Sequence, residues 1–116
     1  MKKLITLFAL LLIFGFTKAT SVSIGVTATQ GTLGGSYTSL KLAFDKINDG
    51  THRGTITVTI NTNTTETASA VLMGSGTASA TYTSVNIYPT TTGLSITGDL
   101  STPLIDLNGA DNVTID

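Results

Sequence analysis

The sequence predicts an all-β protein in which short parallel strands stack as a solenoid after one amphipathic helix. Two observations carry this prediction. Apolar residues recur with a period of 3.6 only once, around residue 40, and beyond it they recur at alternate positions. The alternating region contains three copies of a Val-x-Ile strand at nearly constant spacing, which is typical of repeat architectures.

The first nineteen residues are predicted to be a secretory signal peptide. Lys2 and Lys3 precede thirteen uncharged, mostly apolar residues, LITLFALLLIFGF (4–16). This run is shorter than the about 20 residues that a membrane-spanning helix needs, and Ala19 offers a small residue for cleavage. We therefore expect the mature chain to begin near Thr20 and to contain no transmembrane segment. The alternative is a retained N-terminal anchor.

Charge and cysteine content exclude some classes of protein. After cleavage, Lys41, Lys46 and Arg53 face seven carboxylates, which gives a net charge of minus four. Nucleic-acid binding needs a basic face that releases counterions from phosphates, so we expect no nucleic-acid partner. The chain has no cysteine, so an exported form must be stable without disulfides.

Threonine and serine dominate the mature chain, with 32 of the 97 residues from Thr20 onward, beside eleven glycines and two prolines. A disordered, Ser/Thr-rich stalk is one interpretation of such a composition. The low charge content and the alternating Val, Ile and Leu residues favour strands instead, because β-branched threonine suits a pleated surface.

The single helical stretch is SYTSLKLAFDKINDG (36–50). Ser36 or Thr38 is the predicted N-cap, and Gly50 suits a left-handed position after the last turn. Before the helix, alternation of Val22, Ile24 and Val26 predicts a short strand. The apolar side chains at i, i+3, i+4 and i+7 of the helix are Leu40, Ala43, Phe44 and Ile47.

Three strands align beyond the helix: TVTIN (57–61), SVNIY (84–88) and NVTID (112–116). Val58 and Val85 are 27 residues apart, and Val85 and Val113 are 28 apart. Turn residues cluster between them at GSG (74–76) and NGADN (108–112). A parallel solenoid would stack Val on Val and Ile on Ile, whereas a small β-sandwich, the alternative, has no reason to keep that spacing. The predicted inward residues are Val58, Ile60, Val85, Ile87, Val113 and Ile115.

The first coil of a solenoid exposes an apolar cross-section and unpaired backbone groups. The amphipathic helix is predicted to cover them as a cap, although a helix packed beside a small sheet is also compatible with the sequence. The resulting organisation is a signal peptide (1–19), an N-terminal strand with the capping helix (20–54) and the first coils (55–116).

The stretch YTSLKLAFDKINDGTHRGTITVTI (37–60) resembles the start of right-handed parallel β-helix proteins of the pectin-lyase-like superfamily. The longer pattern, through ATYTSVNIYP (80–89) to PLIDLNGADNVTID (103–116), is similar to N-terminal regions of large secreted surface proteins of gliding-type Gram-negative bacteria. Such proteins often end in a sorting domain read by type IX export machinery. The resemblance implies a right-handed β-helix, a secreted or outer-surface location, and further coils beyond residue 116, so that this chain would be a truncated fragment.

No catalytic, cofactor-binding or metal-binding residue is predicted. A β-helix lyase or hydrolase needs clustered carboxylates, and none of the seven here recurs at the repeat spacing. Asp106 and Asp111 flank a turn and are interpreted as turn-capping residues. His52, beside Arg53 in the connection from helix to strand, is predicted to be a solvated turn residue without a partner.

We therefore expect the non-catalytic N-terminal part of an exported cell-surface solenoid that contacts a cell-surface or extracellular polysaccharide, or serves adhesion. The outward residues Thr55, Thr57 and Thr59 would contribute to its contact face. One alternative is a polysaccharide lyase or glycoside hydrolase whose catalytic coils lie beyond residue 116. Another is a small β-sandwich that binds a partner through an exposed edge. Expressed from Thr20, the chain is expected to self-associate through its uncovered last coil.

Overall fold

A computed structural model describes residues 22–116, and the predicted signal peptide lies outside this range. The described chain is mostly β with one helix, and within it no helix is long and apolar enough to span a membrane. In chain order the elements are β1 (Ile24–Gly31), β2 (Gly34–Tyr37), α1 (Leu40–Asn48), β3 (His52–Ile60), β4 (Thr64–Thr65), β5 (Ala70–Val71), β6 (Tyr82–Pro89), β7 (Ile96–Thr97), β8 (Ile105–Asp106) and β9 (Val113–Ile115).

The largest sheet has five strands in the order β2-β1-β3-β6-β9. Strand β1 runs antiparallel to both β2 and β3, whereas β3, β6 and β9 are mutually parallel. Two shorter parallel pairs, β4 with β7 and β5 with β8, accompany this sheet. The three strands that contain Val-x-Ile thus lie side by side in parallel, as their spacing predicts.

The register of this ladder agrees with the prediction in its second half and differs in its first. Val85 faces Val113 and Ile87 faces Ile115, as expected. In β3, however, Ile56 faces Val85 and Val58 faces Ile87, so the predicted pairing of Val58 with Val85 is wrong by two residues. A shift of two keeps every side chain on its predicted face, because side chains alternate with a period of two.

The helix is shorter than the predicted stretch, and its cap is Ser39 rather than Ser36 or Thr38. Ser36 belongs instead to β2, where it pairs with Gly25 of β1. Residues predicted to begin the helix therefore form a strand of the sheet. At the other end, Gly50 has φ of 79°, in the left-handed region that favours glycine, as predicted.

One apolar core lies between α1 and the inner face of the sheet. The four predicted helix residues are fully buried, and Ile56, Val58 and Val85 are buried opposite them. Burial decreases toward β9, where the side chain of Ile115 is 51% exposed. The complete set of buried apolar residues is Ile24, Val26, Leu40, Ala43, Phe44, Ile47, Ile56, Val58, Ala70, Leu72, Ala80, Tyr82, Val85 and Ile87.

Candidate functional site

The side of the sheet that faces away from the core carries polar side chains in register, and we call it the outer face. It consists of Thr55, Thr57 and Thr59 on β3, Ser84, Asn86 and Tyr88 on β6, and Thr114 on β9. Neighbouring rows are about 4.8 Å apart, since that is the spacing of paired strands. The outer face therefore offers hydroxyl, amide and phenol groups at regular intervals, as the alternation of Thr with Ile and Val predicts.

A shallow cavity of about 440 Å³ lies where β6 ends. Tyr88 is 41% exposed at its margin, and it contributes an aromatic ring beside hydroxyl groups and one carboxylate. This combination of an accessible ring and several hydrogen-bonding groups is chemically suited to a polyhydroxylated ligand. The lining residues are Tyr88, Pro89, Thr90, Thr91, Thr92 and Asp116.

His52 is fully buried as the first residue of β3, so the prediction of a solvated turn residue is wrong. Its Nδ1 lies 2.6 Å from the carbonyl oxygen of Thr32, and its Nε2 lies 2.6 Å from the hydroxyl of Tyr37. A carbonyl oxygen only accepts hydrogen bonds, so Nδ1 donates and Nε2 accepts from the Tyr37 hydroxyl. The imidazole therefore links the β1–β2 turn and β2 to β3.

The Tyr37–His52 contact is enclosed by neighbouring backbone. A Cβ at Gly35 would lie 2.6 Å from the Tyr37 hydroxyl and 2.8 Å from His52 Nε2, so only glycine leaves room there. Burial raises the pKa of Tyr37, an effect that nearby Lys46 opposes and Asp49 reinforces. The hydrogen bonds of the Tyr37 hydroxyl and of both His52 nitrogens hold β2 and the β1–β2 turn to β3.

Glu66 follows β4. At 2% exposure, it is the one buried carboxylate among the residues that the structure describes. Its two oxygens accept hydrogen bonds from the backbone N–H groups of Leu40 (2.8 Å) and Lys41 (3.0 Å). The Ser39 hydroxyl accepts from Leu42 N at 3.2 Å, so the first three N–H groups of α1 all have partners. Glu66 thus holds the positive end of the helix dipole against the segment that follows β4.

Asn48 fixes the opposite end of the helix to β5. Its Nδ2 donates to the carbonyl of Val71 (2.8 Å), and its Oδ1 accepts from the N–H of Met73 (2.9 Å). The alternate residues Ala70 and Leu72 donate toward β8 instead. The Asn48 amide therefore occupies the edge of β5 that a preceding strand would otherwise fill.

The exposed charges of α1 form local pairs. Lys41 Nζ lies 2.6 Å from Asp45, and Lys46 Nζ lies 2.8 Å from Asp49. Burial alone would raise the pKa of Asp49, but hydrogen bonds from Lys46 and Thr51 lower it to about 2. Across residues 22–116, no three His, Cys, Asp or Glu side chains converge as a metal site would require.

Sequence reasoning missed the hydrogen-bond partners of the two buried ionisable side chains, Glu66 and His52. Glu66 is 26 residues from Leu40, and His52 is 15 residues from Tyr37. The one usable signal is that the first turn of the helix contains no acidic residue, so a carboxylate from elsewhere in the chain would stabilise it.

Comparison of the chain with protein-family models, curated proteins and solved structures finds no match.

Proposed function

We propose that this chain forms the N-terminal coils of a right-handed parallel β-helix of the pectin-lyase-like type, with α1 as its cap. The observation that carries the proposal is the parallel pairing of β3, β4 and β5 with β6, β7 and β8, each strand with its counterpart in the next repeat. Glu66 and Asn48 support the cap, because they bond α1 to the residue after β4 and to β5.

We further propose that the protein is exported and acts at the cell surface of a Gram-negative bacterium, where it contacts polysaccharide or serves adhesion. The outer face and the cavity beside Tyr88 support this role, since sugars are bound by aromatic rings together with hydroxyl and amide groups. The role proposed is non-catalytic, because His52 and Glu66 are engaged in structural hydrogen bonds.

Location can be tested directly. N-terminal sequencing of the protein recovered from the cell surface should give a chain that begins at Thr20, because the signal peptide is expected to be cleaved after Ala19. Labelling of intact cells with a membrane-impermeant reagent should modify Lys46, which is exposed. A protein that stays inside the cell and retains residues 1–19 would contradict export.

Binding can be tested by adsorption of the purified protein to a panel of insoluble and immobilised polysaccharides. Tyr88→Ala should weaken adsorption about fivefold, since an aromatic contact contributes about 1 kcal/mol. Leu33→Ala is the matched control, because Leu33 is exposed in the β1–β2 turn. Equal adsorption by both variants would contradict a role for Tyr88. Turnover of a polysaccharide by the exported protein would instead favour the alternative function, a lyase or hydrolase.

A further inference from the structure

Most side chains of the outer face have no hydrogen-bond partner within the part of the chain that the structure describes. Among residues 22–116, the Thr59 hydroxyl alone of this set makes such a bond, to the carbonyl oxygen of Gly25 at 3.4 Å. The amide of Asn86 and the hydroxyls of Thr55 and Thr57 are therefore available to a ligand. Hydroxyl and amide groups both donate and accept hydrogen bonds, as sugar hydroxyls do, so this surface can match a glycan without any charged group.

The middle row of this surface continues across four strands. Thr57 pairs with Asn86, and Asn86 pairs with Thr114. On its other side, Thr57 faces Thr27 of β1. Successive members of the row are about 4.8 Å apart, the spacing of paired strands. A polymer lying over the row therefore meets an uncharged hydrogen-bonding group on each strand that it crosses.

The basic side chains lie elsewhere. Lys41 and Lys46 belong to α1, which packs on the inner face of the sheet, and each is paired with an aspartate of the helix region. Arg53 lies near the start of β3, and its Nε is 3.2 Å from where a Cβ at Gly31 would lie. Its side chain thus leans over the end of β1 and away from β6. Among the described residues, no cation lies within the rows of the outer face.

Net charge also disfavours an anionic ligand. Residues 22–116 carry three basic and seven acidic side chains, which gives a net charge of minus four. A glycan carboxylate or sulfate placed over the outer face would lose water without gaining a cationic partner, and the carboxylates of the protein would repel it. A neutral sugar carries no charge whose hydration must be lost, so the chemistry of this surface favours a neutral ligand.

We propose that the polysaccharide bound by the outer face is uncharged, and that threonine, serine and asparagine side chains hydrogen-bond its hydroxyl groups. This inference rests on the proposed function, because it names the class of glycan that the same face takes. Arg53 takes no part in binding. An anionic polysaccharide binds more weakly, and because electrostatic repulsion limits its binding, added salt weakens that repulsion.

Pairs of polysaccharides that share a backbone and differ in charge test the inference on the purified protein. The pairs are methyl-esterified and de-esterified polygalacturonan, hydroxyethyl-cellulose and carboxymethyl-cellulose, and dextran and dextran sulfate. At about 10 mM salt, where charges act over about 30 Å, biolayer interferometry should show binding to the neutral member of at least one pair. Its charged partner should bind about tenfold more weakly, and the difference should shrink as salt is added.

The outcomes separate this inference from polysaccharide binding as such. Equal or stronger binding of the charged member would overturn the inference and leave polysaccharide contact standing. Absence of binding to both members of every pair would contradict polysaccharide contact itself, and the inference with it.

Substitutions distinguish the outer face from Arg53. Arg53→Gln should leave the affinity for the neutral polysaccharide unchanged, whereas Thr57→Lys, which places a cation in the middle row, should raise the affinity for the charged member about tenfold. Leu33→Lys adds the same charge in the β1–β2 turn and is the matched control. Asn86→Lys replaces Thr57→Lys if that variant has a lowered melting temperature. Loss of binding in a folded Arg53→Gln protein, or equal effects of the lysine variants at the row and at the turn, would overturn the inference.

Discussion

Glu66, His52 and Asn48 show how single polar side chains connect α1, β2 and the β1–β2 turn to distant parts of the chain. Each has its hydrogen-bonding groups matched by partners at least 15 residues away in sequence. A buried polar group without such partners is costly, at about 1–3 kcal/mol, so these contacts specify where distant segments meet. The buried hydroxyl of Thr64, in contrast, has no hydrogen-bond partner among the described residues.

Replacement of Glu66 tests the anchor of the helix. Glu66→Gln keeps the size of the side chain but turns one acceptor oxygen into an NH2 group that faces a backbone N–H. We expect the free energy of unfolding to fall by about 1–3 kcal/mol, measured by urea denaturation. Asp99→Asn, an exposed acidic control, should change it by less than about 0.5 kcal/mol. Equal effects of the two variants would show that the Glu66 carboxylate does not hold α1.

The ionisation of Asp49 makes the free energy of unfolding depend on pH. Its pKa in the folded protein is lowered to about 2 from 3.8, so its contribution is present above about pH 4 and disappears as pH falls through about 2. The melting temperature of Asp49→Asn should therefore lie below that of the parent at pH 7 and equal it near pH 2. The difference should be small, because the carboxylate is 44% exposed and screened by solvent. A difference that is constant from pH 7 to pH 2 would contradict this assignment.

At the scale of elements, the helix and its buried face could be predicted from the local periodicity of the sequence. The register between strands could not, because it depends on which residues of distant segments pair. Leu40, Ala43, Phe44 and Ile47 are found buried as their spacing predicts, because one helix face has to be apolar. The register of β3 was not predictable, since TITVTI (55–60) presents three equivalent inward residues and no local feature selects which two meet β6. Strand β2 was missed because its residues GGSY carry no apolar alternation.

The register can be tested by a pair of truncations in β3. Ile56 is fully buried over Val85, whereas Ile60 is half-buried and pairs with Pro89 at the end of the ladder. Ile56→Ala should lower the free energy of unfolding by about 2–5 kcal/mol, and Ile60→Ala should lower it distinctly less. Both variants remove the same atoms, so denaturant midpoints compare them directly. The reverse order would restore the register in which Val58 lies over Val85.

The two ends of the described part, residues 22–116, differ in how far their apolar side chains are covered. At the covered end, β1 pairs with β3 and the Asn48 amide occupies the edge of β5, while α1 closes the core between them. At the other end, Ile115 and Leu107 remain 51% and 41% exposed. The covered end supports the proposed role of α1 as a cap.

Disulfide cross-linking tests the parallel stacking of β3 on β6 most directly, and the natural chain has no cysteine to interfere. Thr57 and Asn86 are direct partners on the outer face, about 4.8 Å apart, so Thr57→Cys with Asn86→Cys should oxidise readily to a disulfide. Thr59→Cys with Asn86→Cys is offset by one pleat, beyond about 7 Å, and should remain reduced under the same conditions. Rapid cross-linking of the second pair, or of neither, would contradict the parallel register.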